Sequence, residues 1–355
     1  MAAPENPPRP PRHAARRRAG LAISVILLAA LVVFALSRLN LPRIGHALIT
    51  AKPGWVALAF ALMGSSLVLR AASWQQTLRA ALPDSVIARM PVVRATMIGV
   101  MASAVFPGRV GEPSRVLVLA RRIEGPNRTL VPIVAGTVFS QTLVNLLALV
   151  ILAAVTFTSV PLLAGHAGGI AAAIAVPLLI CALVLLGPRL LALARRSRSA
   201  RLARAANAIG NALRLARVGL TVFARPRLGA AAVVFQLGAW ALQWLACYMV
   251  VLSLGLQGHA SLVSAAAILL AVNVSAILPA TPSNVGVFQA ACLVVLAAYG
   301  VGAGPGLAYG IILQAVEVLT ALALGIPALL GENLTWGDIR ASGRAASVSA
   351  GEGAE

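Results

Sequence analysis

Carboxylates are scarce in this chain: nine Asp and Glu stand against 29 Lys and Arg in 355 residues, and charged residues of either sign make up only 11%. Soluble domains carry roughly 25% charged residues, so a water-bathed globular surface is excluded. Histidine and cysteine are sparser still. His13, His46, His166 and His259 fall in tails or loops with no two at a ligand spacing, and Cys181, Cys247 and Cys292 sit in separate apolar segments without a CxxC pair. They read as neither a metal site nor a disulfide framework, and the cysteines as small apolar residues. No GxxxxGK[ST] loop is present, which argues against ATP hydrolysis by this chain. No carboxylate pair, histidine or metal-ligand spacing occurs at membrane depth, which disfavours an intramembrane enzyme of lipid metabolism. The expectation is a non-enzyme with no cofactor and no metal.

What the chain has in abundance is apolar sequence, 60% of residues at a mean hydropathy of +0.91. It is divided into segments of about 20 residues, the length of helix that crosses roughly 30 Å of hydrocarbon, and lacks the alternation of a transmembrane barrel. The expected fold is an all-α polytopic membrane protein of about 8 transmembrane segments. Candidate spans are residues 20–37, 54–74, 131–157, 168–187, 228–254 and 307–330. Two shorter apolar pairs lie between them, 92–106 with 113–121 and 261–278 with 285–300, each hinged on a Pro/Gly motif and each readable as a re-entrant hairpin or, for the second, as two tilted spans.

Basic residues set the orientation. A cytoplasmic N-terminus puts 26 of the 29 Lys and Arg on inner segments, leaving Arg38, Arg43 and Lys52 outside. This positive-inside bias places the chain in the cell (inner) membrane with both termini cytoplasmic, and explains the net charge of +20 without nucleic acid. Arg16-Arg17-Arg18 before an apolar run resembles a signal peptide, but Ser37-Arg38-Leu39-Asn40 is no small-residue cleavage site, so the first span is expected to be retained. Residues 1–19 and 332–355 read as disordered tails around one domain, 20–331. The linker 188–227 reads as a basic amphipathic helix on the membrane surface, either a connector between halves or a collector of anionic headgroups.

Both Pro/Gly motifs break a helix inside apolar sequence. They are Ser103-Ala-Val-Phe-Pro107-Gly108-Arg109-Val-Gly111-Glu112 and Ser275-Ala-Ile-Leu-Pro279, the latter followed by Pro282-Ser-Asn284-Val-Gly286-Val-Phe-Gln289. Such breaks are tolerated at membrane depth only where freed backbone groups are buried in protein or face water. Trp74 recurs as Trp244 and Gln141 as Gln314, so residues 52–160 and 225–330 read as a repeat, inverted because the first begins outside and the second inside. Pro107, Gly108, Gly111, Pro279, Pro282 and Gly286 are the expected hinges.

Ionisable groups at membrane depth are functional hypotheses by default. Arg109, Glu112 and Arg115 flank the first break. A helix restarting near Glu112 would place 112 and 115 on one face, a cluster suited to a phosphate with Glu112 steadying the guanidinium groups. The alternative is that Glu112 merely neutralises two arginines snorkelling to the surface. Arg70, taken as the end of the second span, reads as an interfacial anchor or as part of the same vestibule. Glu317, central in the last span, reads as a proton relay or a structural hydrogen-bonding group. Gln141 and Asn145 share a helix face, and Gln236, Gln243, Asn273, Gln289 and Gln314 add amides elsewhere. These are either interhelical bonds or a neutral path for hydroxyl-rich headgroups.

The stretch Pro107-Gly-Arg-Val-Gly-Glu-Pro-Ser-Arg115, with Leu69-Arg70-Ala-Ala-Ser-Trp74 before it and Leu278-Pro-Ala-Thr-Pro-Ser-Asn-Val-Gly-Val-Phe-Gln289 after it, resembles the flippase-like transmembrane domain of the lysylphosphatidylglycerol synthase family. The resemblance covers roughly residues 20–331. It implies a helical domain that moves polar-headgroup lipids between leaflets. It also implies acids where this chain has Gln141, Asn145 and Gln289, and a Gly-Gly where it has Ser283-Asn284. Those exchanges point away from a cationic lysyl lipid and towards a glycolipid, a polyprenyl-phosphate sugar or an anionic phospholipid. The synthase's aminoacyl-transferring domain is absent from these residues. The expected inner headgroup site is Arg70, Arg109, Glu112 and Arg115, with Gln141, Asn145 and Glu317 as further substrate contacts; Pro279, Pro282, Asn284, Gly286 and Gln289 form the outer gate. Membrane lipids are the expected partners. A competing reading is a non-catalytic membrane protein that recruits or regulates a membrane glycosyltransferase or lipid-modifying enzyme through the basic linker.

Overall fold

A computed structural model describes residues 49–105, 111–123, 127–159, 221–276 and 284–332. The expected spans 20–37 and 168–187, the N-terminal tail, nearly all of the basic linker, the C-terminal tail beyond Glu332, and the residues Pro107, Gly108, Arg109, Pro279 and Pro282 lie outside them. The described residues form helices α1 (Pro53–Ala81), α2 (Arg89–Val105), α3 (Gly111–Ala120), α4 (Asn127–Ser159), α5 (Thr221–Ala224), α6 (Pro226–Ser253), α7 (Leu262–Ser275), α8 (Val287–Ala298) and α9 (Ala303–Gly331), with no strand among them. The chain is a multi-pass membrane protein. Four helices, α1, α4, α6 and α9, are long and apolar enough to span a bilayer.

Local sequence accounts for two helix starts. Pro53 and Pro226 occupy the first helical position, where a missing N–H costs nothing and φ is already helical. The shorter helices have a different fate. At 1.5 Å per residue, the 17 residues of α2 give about 25 Å and the 14 of α7 about 21 Å, both short of ~30 Å of hydrocarbon. Helices α3 and α8, with 10 and 12 residues, are shorter again. Each short helix packs on its sequence neighbour, α2 on α3 and α7 on α8.

The packing carries an internal symmetry. Helices α1 and α6 make the most extensive helix pair, and the substantial pairs among the other long and hairpin helices map onto one another when α1–α4 are exchanged for α6–α9. Thus α2 packs on α9 as α7 packs on α4, and α3 on α4 as α8 on α9. Helices α1 and α6 run antiparallel: Lys52 N donates to Ser253 O at 2.8 Å at one end, and Ser73 Oγ donates to Ala232 O at 2.8 Å at the other.

Helix α1 continues past the expected end of its span at 74 to Ala81, which puts Arg70 inside the helix instead of at its end. The residues that lower the hydropathy there are buried and paired. Trp74 Nε1 donates to Thr137 Oγ1 at 3.0 Å and Gln75 Nε2 to Ile87 O at 2.8 Å, so polar residues sit within the protein and do not mark its edge.

The end of α9 is fastened to the first hairpin. Glu332, assigned to the tail by composition, has a carboxylate only 4% exposed, between Arg122 Nε at 2.6 Å and Arg94 Nη1 at 3.3 Å. Both arginines are partly exposed, so solvent screening limits the pairs to about 1–2 kcal/mol together. Glu332→Gln is expected to lower the melting midpoint in detergent at low salt, and the deficit should shrink in high salt. Coincident midpoints at low salt would show that the clamp contributes nothing.

Candidate functional site

A half-open cavity of about 230 Å³ lies where the first hairpin meets α1, α4 and α6. Arg70 reaches it from α1, Thr96, Gly99 and Ser103 from α2, and Gly111, Glu112 and Arg115 from α3. Gln141, Thr142 and Asn145 come from α4 and Gln236 from α6. Five of the expected substrate residues, Arg70, Glu112, Arg115, Gln141 and Asn145, are therefore brought together.

The hairpin closes tightly because two glycines meet. A Cβ on Gly111 would fall on the backbone carbonyl of Gly99 and the hydroxyl of Ser103, and a Cβ on Gly99 would come within 3.0 Å of Gly111 O and Arg115 Cβ. This close approach sets Arg115 against α2 and aims it at α4.

Arg115 does not snorkel. It is 7% exposed, its Nη2 pairs with Glu112 Oε2 at 2.5 Å, its Nη1 donates to Gln141 Oε1 at 2.8 Å, and its guanidinium carbon lies 4.8 Å from the Trp74 ring centroid. A buried guanidinium needs this combination: one carboxylate, a neutral acceptor and an aromatic face offset its desolvation. Glu112 is itself about half exposed at the cavity. Gln141 Nε2 donates to Arg70 O at 2.8 Å, which ties the cluster to α1, and Arg70 Nη2 donates to Gln243 Oε1 on α6 at 3.3 Å. The Nε atoms of Arg70 and Arg115 are buried without a partner among the described residues. With two arginines and one carboxylate in its wall, the cavity carries a formal excess of one positive charge.

The opposite wall is neutral. Asn145 Oδ1 accepts from Trp240 Nε1 at 2.8 Å and from Gln236 Nε2 at 2.9 Å. An indole N–H can only donate, so the Asn145 oxygen must face it, and Gln236 must turn its Nε2 towards that same oxygen.

Among the described residues, none of the second hairpin lines this cavity. Gln289 Nε2 donates to Gln314 Oε1, while Gln289 Oε1 accepts from Gly286 N at 2.6 Å. Gly286 at φ +90 and Asn284 at φ +52 turn the chain into α8. The expected outer-gate residues Asn284, Gly286 and Gln289 thus form their own amide-linked turn, because each Gln289 amide atom finds a partner within its own half. Glu317 lies on α9, partly buried and outside the cavity lining, within electrostatic range of Arg70. Nothing in the sequence marks Thr96 or Gly99, and Ser103 is marked only as the start of the first Pro/Gly motif. What they share is a run of small residues on α2 facing Gly111.

Arg115 with Gln141 and Gln289 with Gln314 occupy corresponding places in the two halves, 174 and 173 residues apart. An amide replaces the cation at the second position. Among the described residues no group of three or more His, Cys, Asp or Glu is placed to hold a metal.

Residues 19–325 match the model of a family described as the lysylphosphatidylglycerol synthase TM region. A search of curated proteins finds no match.

Proposed function

The chain belongs to the lysylphosphatidylglycerol synthase transmembrane-region family, and from that premise we propose that it carries a lipid with a polar headgroup between leaflets, the first-hairpin cavity holding the headgroup. One observation carries the reading: a buried, charged, part-open cavity at the broken hairpin of an apolar protein, formed by Arg70, Glu112, Arg115, Gln141 and Asn145. Ionisable groups in hydrocarbon are costly and persist where they face a pathway or a ligand.

The antiparallel run of α1 and α6, together with the exchange symmetry of the packing, supports an inverted repeat. In that arrangement α2–α3 and α7–α8 re-enter from opposite leaflets, and the open first hairpin and the closed Gln289–Gln314 clasp are the two gates of one path. The basic inner segments put the first hairpin on the cytoplasmic side of the inner membrane. Pro107, Gly108, Pro279 and Pro282 would hinge the two tips, and Arg109 would stand at the cavity mouth.

The test is leaflet exchange of labelled anionic phospholipids and glycolipids in liposomes carrying the full chain. Glu112→Gln keeps the size of the side chain and removes the charge that steadies Arg115, and is expected to slow exchange about tenfold, the worth of one charge-assisted bond. Equal rates for wild type and Glu112→Gln would overturn the site. Wild-type liposomes no faster than protein-free ones would overturn transport itself.

A further inference from the structure

The two walls of the cavity differ in chemistry, and the neutral wall holds an unmet acceptor. Gln236 is 1% exposed and lines the cavity, and its Oε1 has no partner among the described residues. A flipped amide cannot relieve this. Trp240 Nε1 fixes the Asn145 oxygen, the Asn145 oxygen fixes the Gln236 Nε2, and the Gln236 oxygen is what remains. Burying such an acceptor unpaired is unfavourable, and a buried polar atom without a partner calls for an explanation such as a bound donor. Beside it, Asn145 has spent its oxygen on these two bonds and keeps an N–H donor, and the Thr142 hydroxyl, which donates to Val138 O at 3.0 Å, keeps acceptor capacity.

An acceptor next to a donor matches one functional group better than others. A hydroxyl donates and accepts from a single atom. An ammonium only donates, so it would leave the Asn145 N–H unmet and would lie near Arg70 and Arg115. A carboxylate only accepts, and would leave Gln236 Oε1 unmet. The charged wall has the opposite need: two guanidinium groups, each with an Nε–H unpartnered among the described residues, and a single carboxylate in the lining, with Glu317 outside it but within electrostatic range of Arg70. Planar guanidinium donors of this kind suit phosphate oxygens.

We infer that the cavity recognises a phosphate-linked polyol, with the phosphate at Arg70 and Arg115 and a headgroup hydroxyl between Gln236 and Asn145. The inference rests on the reading of this cavity as a headgroup site and does not need transport to occur. It separates the ligand from neutral glycolipids, which have hydroxyls and no phosphate, and from zwitterionic or aminoacylated lipids, which bring a cation.

Equilibrium binding of dihexanoyl lipids to the detergent-solubilised full chain tests it with four probes. Phosphatidylglycerol supplies phosphate and hydroxyls, and phosphatidylmethanol supplies phosphate alone. Phosphatidylcholine supplies a zwitterion, and monoglucosyl diacylglycerol supplies hydroxyls alone. Phosphatidylglycerol should bind about tenfold more tightly than each of the others, the worth of satisfying one buried acceptor. Gln236→Leu should narrow the gap between phosphatidylglycerol and phosphatidylmethanol to less than twofold. Equal wild-type affinity for those two lipids, a gap that survives Gln236→Leu, or no binding of any probe would overturn the inference. Should the variant fail to fold, the wild-type ranking alone decides. Discrimination in binding without leaflet exchange defeats transport and leaves this assignment standing; exchange without discrimination does the reverse.

Discussion

Gly111→Val is expected to abolish both the stable fold of the first hairpin and any leaflet exchange. The glycine opens α3 where it crosses Gly99 of α2, and a Cβ there would overlap a backbone carbonyl and the Ser103 hydroxyl. Helix propensity pulls the other way, since alanine in place of a helical glycine is worth up to about 1 kcal/mol. Overpacking wins. Inserting atoms into a filled contact costs about 1–3 kcal/mol when side chains can yield, and here the obstacle is main chain. The branched valine is expected to exceed that range. The same reasoning ranks the other positions. Gly99→Ala meets Gly111 O and Arg115 Cβ at 3.0 Å and should cost less than Gly111→Ala. Gly325→Ala overlaps Met101 Cβ, an atom held by the backbone of α2, and should cost more than Gly99→Ala. Gly54→Ala meets nothing within 4 Å and should be neutral or slightly stabilising. Melting midpoints in detergent for the four alanine variants check this order. A Gly111→Ala midpoint equal to that of Gly54→Ala would mean that the hairpin does not close through the glycine contact.

That contact shows where sequence reasoning reaches and where it stops. The four long helices were legible because a run of about 20 apolar residues has few alternatives to a membrane helix. Glu112 and Arg115 were legible as a pair because three residues along a helix place side chains on one face. Their surroundings were not. Nothing local says that Trp74 lies under Arg115, or that Gln141 bonds both the Arg115 guanidinium and the Arg70 carbonyl. These contacts join helices far apart in the chain. Gly99 looks like any small residue until Gly111 arrives opposite it. Hydropathy ended α1 too early, because Ser73 and Gln75 are polar yet paired inside the protein. It also assigned Glu332 to the tail, because its partners, Arg94 and Arg122, lie more than 200 residues earlier. Gln236 and Gln243 were seen as amides without distinction. The fold separates them: Gln243 accepts from Arg70, and Gln236 is left with an empty acceptor.

The two halves also read more alike in sequence than they are in chemistry. The repeat led to the expectation of an inner headgroup site at the first hairpin and an outer gate at the second. Their corresponding pairs, Arg115–Gln141 and Gln289–Gln314, are both intact, but only the first needs a counter-ion and only the first lines the cavity. Two neutral amides can satisfy each other and close. Among the described residues the Arg115 guanidinium, with three neighbours, still has an unpartnered Nε–H, whereas both amide atoms of Gln289 are paired.

Arg115→Leu is accordingly expected to reduce leaflet exchange of anionic lipids about a hundredfold, equivalent to about 2.7 kcal/mol and within reach of one or two charge-assisted bonds to phosphate. Its effect on stability should be smaller. Glu112 is half exposed and water can take over its charge, so no buried ion is stranded. The loss falls on Gln141 Oε1, which forfeits its donor at about 1–3 kcal/mol, partly returned by burying an apolar side chain against Trp74. Arg115→Lys separates charge from shape. Lysine retains the cation but cannot reach Glu112 and Gln141 with one planar fork, nor lay a flat face over the indole. It should recover about a tenth of the wild-type rate, and its preference for anionic over neutral lipid should persist. Exchange rates and melting midpoints measured on the same preparations decide the matter. If Arg115→Leu melts far below wild type and Arg115→Lys restores the midpoint together with the full rate, the arginine is a structural counter-ion to Glu112 and the headgroup is bound elsewhere. If the rate falls with the midpoint nearly unchanged, and lysine restores selectivity without the full rate, the buried guanidinium is the group that holds the phosphate.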